Sequence, residues 1–224
     1  MDVAPGTIVV WGDVACPWAT LAVLRLHATR RRLGLEGRVT FEHRAFALEL
    51  ANERPTPWST LQAEVPVVGN LAPDAGLQVW QAPPWEWPVT VLPALAAVQV
   101  AAEQGPAAAE ALDLALRLAM FADSRCVAIR SVVLDVAGSC DGVDVDALAG
   151  GLDDGRGTRA VIDQHRAAAD AGVQGSPHLF LPDGSDAFNP GVEMHWEGGY
   201  GEGFPVVDAD DPSVYERLLT TAAG

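Results

Sequence analysis

Strand signals in this chain occur only near its two ends, and the long stretch between them reads as helix or irregular cover. Thr7 to Gly12 is a short apolar run closed by Gly12-Asp13, the signature of a buried strand. From Pro17 to Leu33 the pattern turns helical. Leu21, Leu24 and Ala28 recur at helical spacing, Pro17 suits the first helical position, and Gly34 follows as a stop. Arg38 to Phe46 alternates, with Val39 and Phe41 on one side, and reads as a second strand. The opening is therefore β-α-β, with a crossover long enough for two parallel neighbours. Strand signals return only at His178-Leu179-Phe180-Leu181 and at Val192 to Trp196, before a final helix over 212–221 with Asp211 as its cap. The pattern predicts an α/β fold with a helical subdomain lying inside the chain.

The middle has two parts. Ala51 to Pro93 holds half of the chain's 16 prolines, together with Trp58, Trp80, Trp85 and Trp87. It reads as an irregular excursion with short helical turns. Either it forms a lid or binding wall, or it is a proline-stiffened cover whose tryptophans are core. Val91 to Gly105 is helical by pattern. Pro106 to Ala122 carries Glu110, Asp113 and Arg117 as a narrow polar stripe, with Asp113 and Arg117 spaced for an ion pair, so this helix is packed on most sides. Further helices are expected over Cys126 to Ala137, from an Asp144 cap to Leu148, and from a Thr158 cap to Ala171.

Thirty acidic residues against 14 basic ones, all arginine, give a net charge of -16. Such a surface repels phosphate backbones and anionic lipid, which argues against nucleic-acid and membrane partners. No apolar run reaches the roughly 18 residues of a membrane helix, and the N-terminus lacks signal-peptide character, so a cytoplasmic location is expected. Three cysteines form neither a disulfide framework nor a metal spacing, and no metal is expected.

Cys16-Pro17-Trp18-Ala19 follows the first strand and opens the first helix. Unpaired N–H groups and the positive helix end stabilise a thiolate there, so Cys16 is expected to have a lowered pKa and to be a nucleophile near neutral pH. The alternative is a small buried apolar residue.

At these residues the chain resembles the DsbA-like thioredoxin-fold proteins, most closely their cytosolic FrnE-like branch. The resemblance rests on four segments in order: Val9-Val10-Trp11-Gly12-Asp13-Val14-Ala15-Cys16-Pro17-Trp18, Phe41 to Phe46, Phe121 to Arg125, and Ala171 to Pro177. It implies a thioredoxin-like fold with an inserted all-helical subdomain, the former over residues 1–50 and 172–224, the latter over 51–171. It implies Cys16 as the catalytic residue. Pro17, Trp18, Ser176, a cis Pro177 and His178 would then bind the substrate or a thiol cofactor. His178 either supports a thiolate as a nearby cation or is turned away by strand alternation. Asp13 matches the family's acidic residue before the motif.

The departure is Ala19, where the family has its second, resolving cysteine. Cys126 and Cys140 either resolve, if the helical block brings one within disulfide reach of Cys16, or are packing cysteines. Three functions are compatible with this pattern. One is a monothiol oxidoreductase forming mixed disulfides with a small thiol such as glutathione or mycothiol, and with protein disulfides. Another is a thiol-cofactor enzyme acting on an electrophilic small molecule, because the resemblance extends to kappa-class glutathione transferases and 2-hydroxychromene-2-carboxylate isomerases. The third is a redox-inactive binding protein. No permanently bound cofactor is expected. His195 and Trp196 either line the groove or belong to a hairpin, and Arg30, Arg31 and Arg32 read as a solvated helix end.

Overall fold

Ile8, Val9, Val10 and Trp11 are all buried, so strand β1 (Thr7–Gly12) lies inside the sheet with both faces covered. The chain continues through helix α1 (Pro17–Arg32) into β2 (Thr40–Ala45), which runs parallel to β1 with Thr7 opposite Thr40 and Gly12 opposite Ala45. The computed structural model describes every residue except Tyr200. On the other side of β1 lies β3 (His178–Phe180), antiparallel to it, followed by β4 (Asp186–Phe188), giving the order β2-β1-β3-β4. Side chains alternate across this sheet. Ile8, Val10, Phe41 and Leu179 share a cluster with Leu26 of α1, while Val9, Trp11 and Phe180 pack with Ala168 on the opposite side.

Between β2 and β3 come α2 (Leu48–Ala51), α3 (Trp58–Leu71), α4 (Leu92–Ala102), α5 (Pro106–Phe121), α6 (Arg130–Ala137), α7 (Val145–Asp153) and α8 (Arg156–Ala168). Their shared core includes Leu95, Val98, Leu112, Leu116, Phe121, Val133 and Leu148. Helices α4 and α8 approach closely at Gly157, where a Cβ would stand 2.5 Å from the Ala96 carbonyl oxygen. None of the described helices is long and apolar enough to cross a membrane.

The helical block also closes the sheet. β2 is an edge strand, and every second residue presents its backbone outward. Glu110 of α5 accepts from the Phe41 N–H at 2.8 Å. Gln99 of α4 donates to the His43 carbonyl at 3.2 Å, and Gln164 of α8 accepts from the Ala45 N–H at 2.7 Å. The stripe of Glu110, Asp113 and Arg117 is therefore the buried, sheet-facing side of α5. Arg30, expected in solvent, pairs instead with Glu110 and donates to the Val39 carbonyl.

The chain ends with β5 (Val192–Glu197) and β6 (Phe204–Asp210), an antiparallel ribbon, and α9 (Val214–Ala223). Several boundaries differ from the sequence expectation. Helix α3 occupies 14 residues of the stretch expected to be irregular, and it packs on α1 and β6 as well as on the helical core. Apolar Leu61, Val65 and Val68 carry its helical period, which Pro66 disguises. Helix α8 starts at Arg156 after a left-handed Gly155, without a Thr158 cap, and α6 starts at Arg130 instead of near Cys126. Asp144 does cap α7, accepting from Ala147 N–H at 3.0 Å. Strands β4 and β6 have exposed, mixed sequences with little periodic signal.

Candidate active site

Cys16 is the N-cap residue of α1. Its backbone is extended, Pro17 takes the first helical position, and the Sγ accepts from the Ala19 N–H at 3.4 Å. The thiol in turn donates to the Ser176 carbonyl oxygen at 3.2 Å. The Ser176–Pro177 bond is cis. The β1–α1 turn and the loop before β3 thus meet at one sulfur.

Asp13 holds that junction from behind. Its buried carboxylate accepts from Ala15 N–H and from Leu48 N–H, each at 2.7 Å. Its own N–H donates to Ser176 Oγ at 2.9 Å. Its carbonyl accepts from Arg117 at 2.8 Å, and Arg117, only 1% exposed, is clamped by two further bonds to Asp113. Burial pushes the Asp13 carboxyl up to about 6 in spite of the two N–H donors. Arg117 therefore links the helical block to the backbone that presents Cys16.

In front of Cys16 lies an open groove of about 520 Å³. It is lined by Pro17, Trp18, Leu48, Leu61 and Glu64 from α1, α2 and α3, by Ser176, and by Phe188, Val192, Glu193, Met194 and Trp196 from β4 and β5. Trp18 Nε1 donates to Glu64 Oε1 at 3.1 Å. Glu64 is buried, and burial raises its carboxyl to about 7, the Trp18 bond opposing.

The electrostatics overturn the expected thiolate. Cys16 is 5% exposed, and burial pushes its thiol up to about 12, with the Glu64 and Asp13 carboxylates adding in the same direction. Hydrogen bonding from the Ser176 side chain and from the Ala19 N–H acts the other way and is outweighed. One helix end does not offset a low-dielectric site that faces carboxylates and lacks a neighbouring cation. Cys16 is therefore a protonated thiol at neutral pH.

The remaining sequence candidates separate clearly. Pro17, Trp18 and Ser176 line the groove with Cys16. His178 is buried and faces elsewhere: its Nδ1 accepts from the Gln174 N–H at 3.1 Å, and its Nε2 meets Asp186 at 2.8 Å. It braces the loop before Pro177 and is not among the residues lining the groove, in keeping with strand alternation. Trp196 lines the groove, whereas His195 pairs with Asp208 on the exposed ribbon. Cys126 and Cys140 are free, and neither lines the groove. Cys140 packs against the helical core. Sequence reasoning missed Glu64, Glu193 and Met194. Glu64 was legible only through α3, which the prolines concealed.

Comparison with known proteins gives the same architecture. The chain is similar to the structure of a probable DsbA oxidoreductase from Streptomyces coelicolor, at 21% identity and a TM-score of 0.67, over 96% of this chain and 89% of that one. It is similar to the cytosolic disulfide reductase DsbM from Pseudomonas aeruginosa with glutathione, at 17% identity and a TM-score of 0.56, over 79% and 86% of the two chains. A 2-hydroxychromene-2-carboxylate isomerase matches at 18% identity and a TM-score of 0.56, over 81% and 88%. At these identities the likeness is one of fold. No curated protein sequence matches the chain. The family model of the DSBA-like thioredoxin domain matches residues 7–196, a span that takes in both loops of the site, and the chain belongs to that family.

Proposed function

We propose that this protein is a FrnE-like, cytoplasmic thiol-disulfide oxidoreductase that works through a single cysteine, Cys16. The observation that carries this reading is the Cys16 sulfur itself. It is held between the α1 N-terminus and the cis-proline loop at a groove, with Ala19 where a second thiol would stand. In the reaction Cys16 gives up its proton and attacks one sulfur of a disulfide. A mixed disulfide forms, the old S–S bond breaks, and the departing thiolate takes a proton. A small thiol, such as glutathione or mycothiol, then attacks the substrate sulfur of the mixed disulfide, and Cys16 leaves and is reprotonated. The partners on this reading are small thiols and protein disulfides, with no permanently bound cofactor.

The raised thiol pKa sets the direction. A strong oxidant stabilises its reduced thiolate. Cys16 has the opposite environment, so its mixed disulfide is long-lived and the protein is a weak oxidant. Mass spectrometry after treatment with 2-hydroxyethyl disulfide tests the reading. One thiol should add to Cys16 and be removed by excess thiol, and Cys16→Ser should show no such adduct. If Cys16 stays unmodified while Cys126 or Cys140 reacts, the reading is wrong.

A second reading has its own observation. Protonated Cys16 carries one donor hydrogen at the groove; turned from the Ser176 carbonyl to a bound thiol cofactor, it would orient that cofactor's thiolate toward an electrophilic small molecule. Turnover of an electrophile with added thiol, while Cys16 remains unmodified, would favour it. Absence of both chemistries would leave a binding protein.

A further inference from the structure

The charge of the groove is one-sided. Among the described residues lining it, the only ionisable groups besides Cys16 are Glu64 and Glu193, and no arginine or histidine is present. Arg117, close behind the site, is turned inward and spent on Asp113 and the Asp13 carbonyl. Glu64 comes from α3, where it accepts from Trp18, and Glu193 from β5. A ligand in the groove therefore meets two glutamates and no cation among the described lining residues, with the Asp13 carboxyl behind Cys16.

We infer that the groove selects thiols and disulfides whose flanking groups are uncharged or cationic, and that Glu64 and Glu193 exclude anionic ones. The inference rests on the reading of Cys16 as the reacting thiol and names its substrate class. Hydroxyl-rich small thiols and peptide segments carrying lysine or arginine beside the cysteine meet the requirement. Of the two resolving thiols named above, glutathione, with two carboxylates and one ammonium, is therefore the disfavoured one. The apolar lining of Trp18, Val192, Met194 and Trp196 suits the uncharged body of such a ligand and supplies no counter-ion for a carboxylate. Two like charges a few ångströms apart at a partly dry surface repel strongly enough to change a rate about tenfold.

Exchange with three small disulfides of equal reach tests this. Cystamine is cationic, 2-hydroxyethyl disulfide uncharged and 3,3′-dithiodipropionate anionic. In each case Cys16 attacks one sulfur, one half joins Cys16, and the other leaves as the thiol. At low salt and pH 8, where Glu64, raised to about 7, is mostly ionised, the cationic and neutral compounds should modify Cys16 about tenfold or more faster than the anionic one. Glu64→Gln with Glu193→Gln should bring the three rates to within about threefold, each read relative to the neutral compound so that any general loss cancels. Glu36→Gln, in the exposed turn after α1, removes the same kind of charge away from the groove and should leave the ordering intact. An anionic disulfide that reacts as fast as the cationic one, or an ordering that Glu36→Gln relaxes as much as a groove variant does, overturns the inference and leaves Cys16 as the reacting thiol. If none of the three modifies Cys16, the reading of Cys16 itself fails, and the inference goes with it.

Discussion

The Cys16 thiol donates to the Ser176 carbonyl oxygen at 3.2 Å, across 160 residues of chain. This bond is available only to a protonated sulfur, and burial, with the Glu64 carboxylate adding, keeps the sulfur protonated by pushing its pKa up to about 12. Alkylation of the native protein should therefore be slow at Cys16 at pH 7 and should rise only well above pH 9. The unfolded chain should titrate near 8.5, the ordinary cysteine value. Because the Glu64 carboxylate adds to the upward shift, Glu64→Gln should speed labelling of Cys16 at pH 8. Faster labelling of the native protein than of the unfolded chain at pH 7 would show that a thiolate is stabilised after all.

Ser176 also holds the backbone. Its hydroxyl accepts from the Asp13 N–H, which is deprived of solvent. Ser176→Ala should leave that donor without a partner and lower stability by about 1–3 kcal/mol in urea unfolding. Ser176→Thr retains an acceptor and should cost less. An alanine variant as stable as wild type would mean that the N–H finds another acceptor.

Arg117 ties Asp113, Thr20 and the Asp13 carbonyl together. Arg117→Met leaves the buried Asp113 carboxylate without its main partner and should destabilise the protein by about 3–5 kcal/mol. Adding Asp113→Leu should recover much of that loss, because replacing both members removes the uncompensated charge. A double variant as unstable as the single would place the cost in the bonds to Asp13 and Thr20.

These residues mark how far the sequence could be read. The β1–α1 turn with Cys16 was legible from short local patterns, an apolar run and a proline at the first helical position, whereas the loop ending in Pro177 was legible only through its resemblance to the family's segment. The inserted position of the helical block followed from where the strand signals fall. Less legible were roles that depend on what faces a residue. Asp113 and Arg117 show an i, i+4 pair, but nothing local says that the pair is buried against His43 of β2 and the Asp13 carbonyl. The helix end at Cys16 predicts a lowered pKa, whereas the carboxylate that helps reverse it comes from α3, 48 residues on and hidden among prolines. His178 sits next to Pro177 in sequence, yet β3 turns it toward Gln174 and Asp186.

Glu64 should also leave a mark on the pH dependence of stability. Its carboxyl rises from 4.5 to about 7 on folding, so the native state holds that proton more tightly than the unfolded chain. Its contribution is then fully present below about pH 4.5 and is lost as pH rises through about 7. A glutamine in its place does not titrate. The stability of Glu64→Gln relative to wild type should therefore climb between pH 4.5 and 7, by about 3 kcal/mol, and level off above. Asp13 and the buried histidines titrate in both proteins and cancel in the difference. A difference that is flat with pH would show that Glu64 is hydrated in the native groove.

Ala19 is the position where this chain departs from a dithiol site, and its geometry allows the departure to be reversed. Its N–H already points at Cys16 Sγ at 3.4 Å. Residues three apart on a helix have Cα atoms about 5 Å apart. The first turn is thus near the range of Cα separations, roughly 4.4–6.8 Å, that a disulfide spans. Beside Ala19 stands Gly12, whose missing side chain leaves space in which even a built Cβ would remain 3.4 Å from the Ala19 Cβ. Ala19→Cys should therefore form a disulfide with Cys16 under oxidising conditions. Reduced, it should resolve mixed disulfides by intramolecular attack instead of waiting for an external thiol. Insulin reduction should be poor in the wild type and rise markedly in the variant, and the wild-type mixed disulfide should outlive that of Ala19→Cys. A wild type as active as dithiol relatives would mean that Cys126 or Cys140 reaches Cys16 through a movement of the helical block, and the single-thiol reading would then be wrong.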